Sequence, residues 1–186
     1  MPYVLAPGNH DLGPGGSATD RETMLGAYFP ISTYEAWPSF GGTFAPGSIE
    51  NSYHVFETPS GPWLVVALEF GPRDEVVAWA DAVVRAHGSM PAIIVTHAYL
   101  YSDDTRYDRA TRPDQLWSPY SYGLATLPGG VNDGEEMFDA LVRANDAIDL
   151  VVCGHVLNDG VGRLTSPQDG GGRVHQLLAN YQQEPE

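Results

Sequence analysis

Apolar positions along the chain follow two periods. Short alternating or continuous apolar runs closed by Gly or Pro predict strands, and apolar positions three or four apart predict helices. Tyr3 to Ala6 reads as a short strand ended by Pro7-Gly8. Residues 13–17 (GPGGS) make a turn. "TDRETMLGAYF" (19–29) then predicts a short helix, with Thr19 as N-cap, Glu22 completing a capping box and Pro30 beyond its end. "NSYHVFET" alternates Tyr53 and Val55 with His54 and Phe56, and "WLVVALEF" is continuously apolar. With Ser60-Gly61 before Pro62 between them, the two predict a hairpin. "RDEVVAWADAVVRAHG" (73–88) places Val76, Val77, Ala80, Val83 and Val84 at helical spacing, with acids in its first turn and Gly88 as its stop.

"PAIIVTH" predicts another buried strand, and residues 99–133 a long loop bearing Tyr, Asp and Arg. "GEEMFDALVRAND" predicts a second amphipathic helix, with Met137, Phe138, Leu141 and Val142 inward. "AIDLVVCGH" is a third buried strand, and "VGRLTS" and "VHQLLANYQ" close the chain as a hairpin around "PQDGGG". No repeat or linker interrupts this order, so residues 1–186 are expected to form one α/β domain.

Three of the predicted strands end in a histidine-bearing loop. Tyr3 to Ala6 leads into Asn9-His10-Asp11, Ile93 to Val95 into Thr96-His97, and Leu150 to Val152 into Gly154-His155. Helices between strands imply parallel neighbours, whose ligands bind beyond the carboxyl ends. A single histidine after a strand is ordinarily a hydrogen-bonded loop residue. Three at equivalent places on three strands point instead to a metal, which neutral imidazole binds well. Asn9 is either a hard neutral ligand suited to Mn, Fe or Zn, or the centre of an Asx-turn. His10 is left to donate a proton or hydrogen bond, with Asp11 fixing its tautomer. His54, His87 and His175 lie in a hairpin, at a helix end and in the closing hairpin, and are read as structural.

Charge alters this picture. The chain carries nine Lys and Arg, all of them Arg, against 24 acids, for a net −15. Such a surface repels nucleic acid and anionic membrane. It repels a phosphate ester as well, unless a bound cation reverses the local sign. Apolar content of 42% is that of a globular chain. The longest apolar run, Trp63 to Leu68, falls well short of the roughly 18 residues of a membrane span. Cys153 is the single cysteine and excludes an internal disulfide. Met1 and Pro2 lead directly into an apolar run, so the expectation is a domain incomplete at its N-terminus.

"GNHD" at 8–11, "VTH" at 95–97 and "CGHV" at 153–156 resemble, in order and strand context, the last three motifs of the calcineurin-like metallophosphoesterases. "NDGEEM", "RDEVVAWA" and "LLANYQ" resemble a bacterial subgroup of that family, and the likeness covers essentially the whole chain. The resemblance implies an α/β fold, a β-sandwich flanked by helices, and two metal ions sharing a bridging hydroxide that attacks phosphorus in line. It implies that Asn9, His97 and His155 bind one divalent ion. His10 would contact a phosphoryl oxygen and protonate the departing alcohol, with Asp11 orienting it.

The chain departs from the family in two places. D-x-H and G-D-x-x motifs, which hold the other metal, match nothing ahead of Asn9. In the final G-H-x-H pattern the second His position is Leu157, with Asn158 and Asp159 following as candidate substitutes. One partial site for Mn, Fe or Zn is therefore expected, with the second ion's ligands missing. The expected activity is hydrolysis of a small phosphate mono- or diester, completed by the missing N-terminal part. The alternative is a non-catalytic remnant or binding module that keeps the fold. A serine esterase is disfavoured because no G-x-S-x-G elbow occurs. A sugar-binding module could use the tyrosines but has no need of three strand-end histidines. In the 99–133 loop, Arg106 and Arg109 are read either as phosphate grips or as members of an Arg–Asp-laced surface that packs its own tyrosines.

Overall fold

Alternation and continuity in the apolar pattern become one mixed sheet. A computed structural model describes residues 2–182. Two short helices, α1 (Leu25–Tyr28) and α2 (Ile31–Glu35), precede β1 (Phe40–Thr43), β2 (Ser52–Thr58) and β3 (Gly61–Ala67). Then come α3 (Asp74–Ala86), β4 (Ala92–Val95), α4 (Gly134–Met137), β5 (Ile148–Cys153), β6 (Val161–Pro167) and β7 (Arg173–Ala179). The seven strands lie in the order β1-β2-β3-β4-β5-β7-β6. β3, β4, β5 and β7 run parallel, and β1, β2 and β6 attach antiparallel at the two sides. The chain is therefore mixed α/β.

One face of the sheet is closed. Leu64, Val66, Ala92, Ile94, Val151, Val174 and Leu178 meet the apolar stripe of α3 and the residues from Met137 to Val142. The five apolar residues predicted for α3 are all buried, the four valines each worth about 1.5–3 kcal/mol relative to exposure and Ala80 less. α4 starts at Asp133, whose carboxylate accepts from the N–H of Glu135 and Glu136, while Glu136 accepts from the Asp133 N–H. It then passes into a π-helical turn over Phe138–Val142, and Met137, Phe138, Leu141 and Val142 all face inward. The 99–133 loop joins this layer through Tyr99, Leu100, Tyr107 and Leu124, all fully buried. Much of that loop is core.

The other face is half open. Trp63, Val65, Ile93, Val95, Leu150 and Val152 are only partly buried, and Leu177 is 42% exposed. Register places them together: Val65 pairs Ile93, Ile93 pairs Leu150, and Val152 pairs Leu177. The described residues thus form one sheet rather than the two layers of a sandwich.

Two local expectations are corrected. Tyr3 to Ala6 belongs to no strand. β3, β4, β5 and β7 already have neighbours on both sides, so no interior place is left for it. It is fixed instead by the Phe70 N–H donating to Pro7 O (3.1 Å) and by the Tyr3 ring against Trp37 and Tyr34 (5.0 and 5.7 Å). The helix expected over 19–29 shrinks to α1. Thr19 bonds Ser17 rather than capping, Asp20 accepts from the Glu22 N–H, and Thr23 pairs with Leu12 before capping Leu25. Side-chain bonds to nearby backbone have displaced the first helical turns.

His54 lies on the half-open face yet is fully buried among Tyr34, Phe40 and Phe56. Neither ring nitrogen has a partner, and burial lowers its pKa to about 4. The folded chain therefore refuses a proton that the unfolded chain accepts near pH 6.5. Its contribution is complete above that pH and is lost as pH falls toward 4, at up to about 1.4 kcal/mol per pH unit. His54→Leu is expected to raise stability by about 1 kcal/mol at pH 7. It should also flatten the acid limb between pH 6.5 and 4, read by urea unfolding across that range.

Candidate functional site

Parallel pairing aligns the ends of β4 and β5, with Val95 opposite Val152. Thr96-His97 and Gly154-His155 consequently leave the sheet on one rim, tied by the Gly154 N–H donating to His97 O (3.0 Å). The Phe70–Pro7 bond draws the Asn9 turn to the same rim from beyond the end of β3. Residues 9–11 form a single 3-10 turn. Asp11 closes it: its backbone N–H donates to Gly8 O (3.1 Å) and its carboxylate accepts from the Gly8 N–H (2.8 Å). A Cβ on Gly8 would stand 2.8 Å from the His97 ring, so only glycine lets the turn lie against the imidazole.

Three side chains then converge. Asn9 Oδ1 is 3.0 Å from His97 Nε2 and 3.1 Å from His155 Nδ1, and the two imidazole centroids are 4.8 Å apart. His155 Nε2 lies 2.8 Å from the carbonyl oxygen of Trp117. A carbonyl only accepts, so that ring nitrogen carries the proton and Nδ1 of the neutral ring is a bare lone pair. It faces the lone pairs of Asn9 Oδ1. His97 adds a third lone pair when its own proton sits on Nδ1.

Two lone pairs across 3.1 Å repel unless a proton or a cation lies between them. Protonation is opposed. Burial lowers the pKa of His155, against the raising effect of its bond to Trp117 O, and nearby His10 lowers it further. Burial, then the charges of His155 and His10, lower that of His97 to about 3. Phe70 walls the pair, 5.8 Å from His97 and 5.2 Å from His155. Two neutral imidazoles and a carboxamide oxygen are the donor set of a borderline divalent ion. Neighbouring ligands of a tetrahedral zinc stand about 3.3–3.4 Å apart, a few tenths beyond the separations here. The residues fit such an ion as a three-donor partial site. No group of three or more His, Cys, Asp or Glu gathers for a metal among the described residues.

Backbone strain sits at this contact. His155 and Trp117 both adopt left-handed conformations (φ 77° and 60°), which cost a non-glycine residue about 1–3 kcal/mol each. The strain persists because the surrounding loops hold both ends of the imidazole–carbonyl bond.

His10 is exposed at the rim of the cavity, which measures about 180 Å³ and is also lined by Asp11, Trp117, Tyr122 and Leu157. Asp11 is spent on the Gly8 N–H, and no bond to His10 occurs among the described residues. Asn158 and Asp159 do not enter the cavity: Asn158 donates to Ser102 (2.7 Å) and Asp159 caps the Val161 N–H. Arg106 is no phosphate grip. It is held by Glu135, Ser166 and Gln176 over the ring of Phe138. Arg109 stacks on Tyr120. His87 bonds the Val83 carbonyl and His175 bonds Thr165. Trp117 is the residue that sequence reasoning missed, because its backbone oxygen does the work.

No family model matches the chain. It is 25% identical over 190 residues to the uncharacterized protein YvnB of Bacillus subtilis (strain 168), an alignment that covers all of this chain. The chain spans 12% of that relative's length.

Gly8→Ala is expected to push His97 off the rim and cost about 1–3 kcal/mol in urea unfolding. Gly26→Ala, where a Cβ meets open space, is the contrast and should be neutral or stabilising by up to about 1 kcal/mol. The His97 ring resonances should stay flat from pH 8 down to about pH 5 by NMR, because the folded site keeps the imidazole neutral in that range.

Proposed function

We propose that this chain is a metal-dependent phosphoesterase domain of the calcineurin-like type, taking one divalent Mn, Fe or Zn ion at Asn9, His97 and His155. One observation carries the reading: the lone pairs of Asn9 and His155 face one another, with the His155 tautomer set by the Trp117 carbonyl. The half-open apolar face of the sheet supports the finer fold reading, a sandwich in which a second layer lies over that face.

The ion, when bound, supplies positive charge for a phosphoryl group and lowers the pKa of a bound water. The chain's own residues then have separate tasks. His97 and His155 present neutral nitrogens and, with Phe70, shield the donors from bulk water. Asp11 locks the turn that aims Asn9 inward and leaves His10 outward. As water oxygen bonds to phosphorus and releases a proton to solvent, the P–O bond to the alcohol breaks, and His10 gives its proton to the departing oxygen and regains one from solvent. The substrate is a small phosphate mono- or diester. With a net charge of −15 and no Arg lining the donor cavity among the described residues, the ion joins His10 as a source of positive charge there.

A second reading is a non-catalytic binding module. The apolar Leu157 lines the cavity, and among the described residues Asp11 is the one carboxylate that lines it. Metal stoichiometry separates the outcomes. Purified chain should hold about one Mn, Fe or Zn ion, and a His97→Ala, His155→Ala variant none. Absence of metal from both proteins defeats the proposal. Uptake without hydrolysis of an aryl phosphate mono- or diester favours the binding module.

A further inference from the structure

A second cavity adjoins the donor cavity and is the larger of the two, about 630 Å³. His10 and Asp11 line both, so the two share a wall at the proposed proton donor. One side of the groove is the glycine-rich turn 13–16, and Gly16 can lie against the His10 carbonyl because a Cβ there would meet that oxygen at 2.6 Å. The opposite side is α1 and its flanks: Met24, Leu25, Tyr28 and Phe29.

α1 has no buried residue, so the core does not explain it. Met24 is 64% and Tyr28 75% exposed. A flexible thioether and an aromatic ring left in water beside a reactive rim form a surface that an apolar ligand would cover. Apart from His10, the charged groups lining the groove among the described residues are acidic. Asp11 and Glu22 line it, and no Arg does. An anionic ligand is therefore repelled.

We propose that this groove is the leaving-group subsite and that the substrate is an ester of a flat, apolar alcohol, an aryl alcohol, without a distal negative charge. The inference rests on the proposed function and adds its substrate class. The phosphoryl group sits at Asn9, His97 and His155, the bridging oxygen lies at His10, and the ring lies between the 13–16 turn and Tyr28. Sugar phosphates and nucleoside polyphosphates are selected against, the first because Met24, Leu25 and Phe29 would desolvate sugar hydroxyls without pairing them and the second for charge.

The test is binding of non-hydrolysable phosphonates to zinc-loaded chain by isothermal titration calorimetry. Phenylphosphonate should bind about tenfold tighter than methylphosphonate through partial burial of the ring. 4-Carboxyphenylphosphonate should lose that advantage. Tyr28→Ala and Met24→Ala should each weaken phenylphosphonate severalfold and leave methylphosphonate unchanged. Both residues are exposed, so unaltered thermal melting verifies the fold. Equal affinity for phenyl and methyl compounds overturns the groove and leaves the metal–phosphoryl reading standing. Binding of neither compound, with zinc taken up, overturns both. Absence of zinc uptake overturns the proposed function and, with it, the leaving-group subsite that rests on it.

Discussion

Everything at the rim depends on β4 and β5 lying side by side in the same direction. The pairing is two-sided work: α3 returns the chain from β3 to β4, and the 99–133 loop with α4 returns it from β4 to β5. Both crossovers bury their apolar side on one face of the sheet, which fixes register because a one-residue slip would turn every core side chain outward. The same slip would move one histidine past the other by about 3.3 Å and separate the donors. Core packing and site geometry are thus set by one constraint.

A buried ion group holds the approach to the rim. Glu69, 3% exposed, sits just beyond β3 and pairs with Arg21 and Arg73, each at 3.0 Å. Arg21 also donates to Gly71 O and Gly130 O, tying the glycine-rich turn region to the 99–133 loop. Burial lowers the Arg21 pKa while Glu69 opposes the change. A pair of this kind gives little net stability, since desolvation offsets attraction, yet losing one partner leaves a stranded charge. Its value is positional. It keeps residues 12–24, which wall the larger groove, in place beside the donors.

The apolar pattern made the hairpins, α3, β4 and β5 legible, because each buries one side of a regular element. The strand-end position of His97 and His155 followed from the same pattern. Tyr3 to Ala6 looked like a strand because composition records apolarity and not the availability of a ladder partner. The 19–29 helix failed for a local reason: Asp20 and Thr23 accept from nearby backbone N–H groups, and Thr19 pairs with Ser17 instead of capping. The proton position on His155 was beyond reach, since a backbone carbonyl at Trp117 has no sequence signature. Nor could the chain show that Gly8 is glycine because an imidazole from residue 97 lies against it.

The left-handed backbone at His155 restricts how this site can change over time. Few side chains tolerate that conformation; Asn, Asp, His and Gly do so most readily. Two of the three alternatives carry an oxygen donor where the imidazole nitrogen now stands. Substitution at this position is thereby channelled toward residues that still offer a lone pair, so the geometry of the turn keeps an acceptor facing Asn9 even as the identity of the side chain drifts.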